Sequence, residues 1–160
     1  MVRDPVTAYV ALGANLGDAL QTVRQTFDAL SRLPACQLKG RSRLYRTAPH
    51  EAHGPEFVNA VAQIETRLTA PDLLDALQVL ENQAGRERPY PNAPRTLDLD
   101  LLMYGQARMQ SPRLTLPHPR WRERAFVLYP LADLQPDWVS ANDLACVAGQ
   151  TIDVLPETIP

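Results

Sequence analysis

Asp98 and Asp100 are the two side chains in this chain whose type and spacing could do chemistry. They lie in Pro94-Arg95-Thr96-Leu97-Asp98-Leu99-Asp100-Leu101-Leu102, and the run from Thr96 to Tyr104 has no Gly or Pro and the length of a strand. Side chains alternate faces along a strand, so Leu97, Leu99 and Leu101 point one way and both aspartates the other. Two residues' rise separates the aspartate Cα atoms by roughly 6.5–7 Å. Unpaired carboxylates on one face repel and lose hydration, which calls for positive charge between them. Oxygen-only ligands suit Mg²⁺, which keeps several waters and is usually shared with substrate phosphates. The same pattern also fits a solvated strand face, or two ion pairs to nearby arginines.

The flanks favour the first reading. Arg86 and Arg88 follow a helix end in a segment long enough to act as a lid, and Arg95 stands three residues before Asp98. Downstream, Arg113-Leu114-Thr115-Leu116-Pro117-His118-Pro119 fixes a histidine between prolines as a pre-set hydrogen-bond donor, or as a plain surface histidine. Eight arginines and only four acids lie between Arg86 and Arg124, whereas five acids and no base follow Ala132. A basic segment around an acidic pair describes a site for a polyanion carried with its metal. The net charge of −2 argues against a general nucleic-acid binder.

The elements that must position these residues follow from pattern. Ala8–Leu12 reads as a buried strand ending at Gly13, and Asp18 with Gln21 marks a helix start whose apolar stripe runs Leu20, Val23, Phe27, Leu30 up to Pro34. Gln37–Arg46 is expected as one strand. Thr47–Pro55 is a loop, and Phe57–Thr66 a strand with Val58, Ala60, Ala62 and Ile64 on one face and Phe57, Asn59 and Val61 on the other. Thr69 and Asp72 open a second helix carrying Leu73, Leu77, Leu80 and Ala84, with Gly85 suited to its end. Arg86–Arg95, with three prolines, cannot be regular. After a turn at Gly105 an amphipathic piece spans Trp121–Leu131, and the last thirty residues carry no clear pattern. The order is β-α-β-β-α-β: a single α+β domain over 1–160, with a ferredoxin-like antiparallel sheet, packed helices and long loops.

Cys36 and Cys146 have no metal-ligand spacing, and no run is long enough for a membrane span, so a reduced, cytoplasmic protein with no membrane partner is expected. No G-x-x-x-x-G-K-[ST] loop, kinase signature, dinucleotide fingerprint or G-x-S-x-G elbow is present. Gly13-Ala14-Asn15-Leu16-Gly17 fits a tight turn better than a ligand loop.

Y-V-A-L-G-A-N-L-G from Tyr9, Y-R-T-x-P from Tyr45, F-V-N-A-V from Phe57, L-E-N-Q-A-G-R-E-R from Leu80, P-R-T-L-D-L-D-L-L from Pro94, and R-L-T-L-P-H-P with R-x-F at Arg124–Phe126 run in order from about Ala8 to Pro136. Together they resemble the 6-hydroxymethyl-7,8-dihydropterin pyrophosphokinases, which transfer pyrophosphate from ATP to a pterin alcohol in folate biosynthesis. The resemblance implies that Asp98 and Asp100 hold two Mg²⁺ ions and that Arg86 and Arg95 act on the phosphates from a catalytic loop. It implies ATP contacts at Gln78, Glu81, Arg88, Leu101, Arg113, Thr115, His118 and Arg124, and a pterin pocket of Thr47, Phe57, Asn59 and Phe126. The implied partners are ATP and 6-hydroxymethyl-7,8-dihydropterin, without nucleic acid, and a monomer is expected. The chain departs from the family at Pro91-Asn92-Ala93, where a basic residue and Trp-Gly are usual, at Ala48-Pro49 and at Pro119. These departures bear on lid closure, so a catalytically weak paralogue is the alternative, and an RNA-binding ferredoxin-like module a third.

Overall fold

The computed structural model describes residues 3–15, 18–48, 56–85 and 97–156. Strand β1 (Val6–Ala14) is the middle of the sheet, because seven of its residues are apolar and both its edges are paired: β4 (Phe57–Thr66) on one side and β5 (Asp98–Tyr104) on the other, each antiparallel. The outer edge of β4 is shared by β2 (Cys36–Arg41) and β3 (Tyr45–Thr47), and β8 (Ile152–Val154) pairs with β3. The path β5-β1-β4-β3-β8 contains the expected ferredoxin-like core with one added strand.

The expected single strand Gln37–Arg46 is two strands. Ser42 breaks it, because its hydroxyl accepts the Val61 N–H at 2.8 Å and so takes a ladder bond that a backbone carbonyl would otherwise hold. The first strand is longer than expected, with Gly13 inside it and not at a turn.

Helix α1 (Ala19–Ser31) starts where the Asp18 carboxylate accepts the Gln21 N–H at 3.1 Å. Helix α2 (Ala70–Gly85) starts where Thr69 accepts from Asp72 N–H at 3.2 Å. Both press their stripes (Val23, Phe27 and Leu30; Leu73 and Leu77) onto the sheet face formed by Val10, Leu12, Ala60, Ile64, Leu99 and Leu101. The burial of so many leucines, each removing about 1.5–3 kcal/mol of side-chain surface free energy from water, makes this the principal core.

The opposite face is covered by the segment from Trp121 onward, which holds the expected amphipathic piece Trp121–Leu131 and then the stretch that carries no clear pattern in the sequence. A 3-10 turn (Trp121–Glu123) leads into α3 (Ala125–Leu134), followed by a second 3-10 turn (Pro136–Trp138) and α4 (Ala141–Cys146). Tyr9, Ala11, Val61, Leu102 and Met103 pack there against Trp121, Leu128 and Leu131. The ladder between β1 and β5 shifts between Tyr9 and Val10, so that Leu102 is an extra residue and both Leu102 and Met103 face α3. Gly105 (φ 55°) turns the chain, with its N–H on Thr7 O at 2.7 Å, into a hairpin of β6 (Met109–Gln110) and β7 (Thr115–Leu116).

Candidate active site

Register places the chemistry-bearing side chains in rows across one face. Asp98 on β5 is opposite Gly13, and Gly13 is opposite Asn59, which is opposite Tyr45 on β3. The adjacent rows are Asp100–Ala11–Val61 and Phe57–Thr47. Residues opposite one another share a face, and Ala11 and Val61 pack under α3, so both aspartates, Asn59, Phe57 and Thr47 lie on the α3 side. Leu97, Leu99 and Leu101 are buried on the other side against α1 and α2. Gly13 leaves a hollow between Asp98 and Asn59, whose Cα atoms are about 9–10 Å apart at two strand spacings.

Asp98 is exposed and Asp100 half-buried. Asp100 has no hydrogen-bonded or ion-paired partner among the described residues, although its charge acts on His118. Between the two, the Leu99 N–H donates to the Glu81 carboxylate at 2.9 Å, which ties α2 to the strand that carries the pair. The donor set is two carboxylates, with no group of three or more His, Cys, Asp or Glu side chains among the described residues. Such a set does not cage an ion alone, but it fits Mg²⁺ completed by water and phosphate oxygens.

His118 runs along the outer edge of β5, its N–H on Leu102 O at 2.8 Å. Its Nδ1 accepts the Arg120 N–H at 3.1 Å, which leaves Nε2 as the protonated, donating nitrogen of the neutral ring. Burial lowers the His118 pKa, opposed by the Asp100 carboxylate, so the ring is neutral near pH 7.

Asn59 is 4% exposed and donates from Nδ2 to Thr47 Oγ1 at 2.7 Å, an arrangement that fixes its amide and leaves Oδ1 directed over Gly13. Phe126 is half-buried on α3 with the Arg124 guanidinium 5.4 Å from its ring centroid. Phe57 is also half-buried, and Thr47 is buried. On the other flank Arg113 reaches from the hairpin to Asp75 and, at 3.2 Å, to Gln78 on α2, while Thr115 is half-buried on β7.

A family model of 7,8-dihydro-6-hydroxymethylpterin-pyrophosphokinase (HPPK) matches residues 9–136, most of the 160. The chain belongs to the HPPK family. It is 49% identical over 130 residues to the 2-amino-4-hydroxy-6-hydroxymethyldihydropteridine pyrophosphokinase of Pseudomonas aeruginosa, covering 81% of this chain and 80% of that one. The enzyme of the same name from Haemophilus influenzae is 42% identical, with 86% of each chain covered. The Synechocystis enzyme is 36% identical over 95% of this chain and 75% of its own. Among solved structures, an HPPK-DHPS in complex with substrates superposes with a TM-score of 0.66 at 11% identity, over 91% of this chain and 43% of the longer one, and so shares the fold.

Within the HPPK fold, the residues expected to bind pterin gather on the α3 side of the sheet, and most of those expected to bind ATP gather outside β5, between α2 and the hairpin. Arg124, over the Phe126 ring at the start of α3, is one exception, and Leu101 is the other. Its side chain is 3% exposed in the core on the far side from the aspartates, so only its backbone can meet a ligand. Arg86, Arg88 and Arg95, with Pro91-Asn92-Ala93 and Pro49, lie outside the described residues. Sequence reasoning missed Gly13 as the floor of the hollow, although a glycine in an otherwise apolar strand was the available signal. It also missed the contacts made by Asp133 and Gln150, for which the sequence offers none. Both cysteines are free, and among the described residues no helix is long and apolar enough to cross a membrane.

Proposed function

We propose that this chain transfers pyrophosphate from ATP to 6-hydroxymethyl-7,8-dihydropterin, releasing AMP, as a step of folate biosynthesis. The observation that carries it is the shared face: two carboxylates at one edge of a glycine-floored hollow, a buried amide at the other, and aromatic rings beside it. A flat heterocycle stacks on Phe57 and Phe126 while Asn59 Oδ1 accepts from its edge, and this aims the hydroxymethyl oxygen toward Asp98 and Asp100. That oxygen attacks the β-phosphorus in line; the α–β bridging oxygen leaves with AMP, and the hydroxyl proton is lost to water or a phosphate oxygen. Two Mg²⁺ ions held by Asp98 and Asp100 would supply charge neutralisation on the phosphates and a more acidic hydroxyl. Arg86 and Arg95 are assigned to the phosphates and Arg88 to the nucleotide. His118 offers Nε2–H, Arg124 its guanidinium, and Gln78, Glu81, Arg113 and Thr115 line the nucleotide side. The protein acts as a cytoplasmic monomer.

The test is AMP release from ATP with the pterin alcohol. Asp98→Ala and Asp100→Ala each nearly abolish turnover, and Arg95→Ala costs about 10²–10³ in kcat, the scale for one charge-stabilising group. Near-normal turnover of Asp98→Ala would remove the metal assignment. The departures at Pro91-Asn92-Ala93 favour a second reading, a paralogue that binds without efficient transfer; ATP and pterin binding without AMP release identifies it. An RNA-binding sheet needs one open face with exposed aromatics, and here α3 packs over the face that carries the aspartates.

A further inference from the structure

We propose that Gln150, from the segment after α4, is a positioning residue for Arg124 and Phe126. The inference rests on the reading of those two side chains as substrate contacts. Helix α3 begins at Ala125 with Arg124 as its N-cap, and Arg124 provides no side-chain cap. A helix start leaves its first N–H groups without intrahelical partners. Here the Ala125 N–H is taken by Gln150 Oε1 at 2.8 Å. The same amide donates from Nε2 to Glu123 O, also at 2.8 Å.

One carboxamide thus bridges the peptide groups on either side of Arg124, as a neighbouring strand would. Arg124 sits in an extended conformation (φ −124°, ψ 114°) between the 3-10 turn and the helix. Its guanidinium lies over the Phe126 ring, so a rotation at this joint moves both groups together. Gln150 is itself anchored: its N–H donates to Val147 O at 2.9 Å, and Val147 is 3% exposed in the core beneath α3. The clamp therefore ties the placement of Arg124 and Phe126 to the segment after α4.

The experiment compares Gln150→Ala, Gln150→Glu and Ser140→Ala in the full chain. Ser140→Ala is the control: it removes the α4 cap, an Asp143 N–H on Ser140 Oγ at 3.0 Å, without touching the clamp. Gln150→Ala is expected to raise KM for both ATP and the pterin by about five- to tenfold, since small misplacements of positioned groups carry large kinetic penalties. Gln150→Glu keeps the acceptor for Ala125 and loses the donor to Glu123, and falls between. Ser140→Ala lowers Tm as much as Gln150→Ala and leaves both KM values unchanged. On an Arg124→Ala background, Gln150→Ala adds nothing further to the ATP KM. Amide exchange at Ala125 accelerates in Gln150→Ala and not in Ser140→Ala. Both KM values within twofold of wild type, an equal kinetic loss in Ser140→Ala, or unchanged Ala125 exchange overturns the proposal. Failure of the wild-type chain itself to release AMP sinks the reading of function instead.

Discussion

Gly13 and Asn59 face one another across β1 and β4 so closely that a methyl group on Gly13 would stand 3.1 Å from Asn59 Oδ1. The amide cannot retreat freely, because its Nδ2 is held by Thr47 Oγ1 at 2.7 Å. Gly13→Ala is therefore expected to displace the amide and weaken pterin binding by about 1 kcal/mol, roughly fivefold in KM, the worth of one hydrogen bond. ATP binding in the absence of pterin stays unchanged. Titration of both ligands into Gly13→Ala checks this, and unaltered pterin affinity would show that Asn59 does not read the ring.

Glu81 accepts the Leu99 N–H between the two aspartates. Glu81→Ala leaves that amide without its charged acceptor and loosens the spacing of the pair. Hydrogen bonds to charged groups contribute about 1.5–3 kcal/mol, so kcat should fall by about tenfold or more, with a higher Mg²⁺ requirement. Glu81→Gln retains an acceptor oxygen and recovers most of the rate. Mg²⁺ titrations of the three proteins decide the point, and an unchanged requirement in Glu81→Ala removes Glu81 from the metal geometry.

Arg113 pairs with Asp75 and Gln78 on the surface of α2. Exposed ion pairs contribute about 0–1 kcal/mol, so Arg113→Ala should leave Tm nearly untouched. If the guanidinium serves ATP, KM for ATP rises by about tenfold all the same. A stability loss without a change in KM would assign Arg113 to the fold alone.

The Tyr45 hydroxyl donates to Asp133 at 2.7 Å, and Asp133 also takes Arg43 Nη2 at 2.9 Å, joining β3 to α3. Burial, then the hydrogen bond to Asp133 and its charge, push the phenol pKa above its ordinary value of 10.0. A folded-state pKa above the unfolded one means that the contribution is complete below pH 10 and is lost as pH climbs toward the folded value. Tm of the wild type should fall more steeply above pH 10 than Tm of Tyr45→Phe. At neutral pH Tyr45→Phe is less stable by about 1–2 kcal/mol, because it loses a hydrogen bond to a charged acceptor. Parallel Tm–pH curves would count against the assignment.

Where sequence and fold agree, a two-residue period is the reason. In Phe57–Thr66 the apolar residues Val58, Ala60, Ala62 and Ile64 recur at every second position and all pack on the α1 and α2 side, so both ends and both faces of β4 were readable. The facing of Leu97, Leu99 and Leu101 away from Asp98 and Asp100 was readable for the same cause. The break at Ser42 was not, because it depends on a hydroxyl meeting Val61, a residue 19 positions away. The α3 and α4 layer was only half legible: Trp121–Leu131 shows its apolar residues, but the C-terminal segment is fixed by single long-range bonds such as Gln135 Nε2 to Tyr9 OH at 2.8 Å. For the candidate site, residue types and chain order were visible, whereas the glycine hollow emerges only from the register of three strands.

The additional residue at Leu102 acts as a phase change in β5. Beyond it Tyr104 and Gly105 are locked to Ala8 and Thr7, so that end of the strand cannot rotate. Excising Leu102 would restore unbroken alternation, Leu101 opposite Val10 and Met103 opposite Tyr9, and would leave both aspartates and Tyr104 on their present faces while removing one of the two side chains that the strand presents to α3. The insertion thus thickens the apolar seam under α3 by one leucine while the acidic row keeps its orientation.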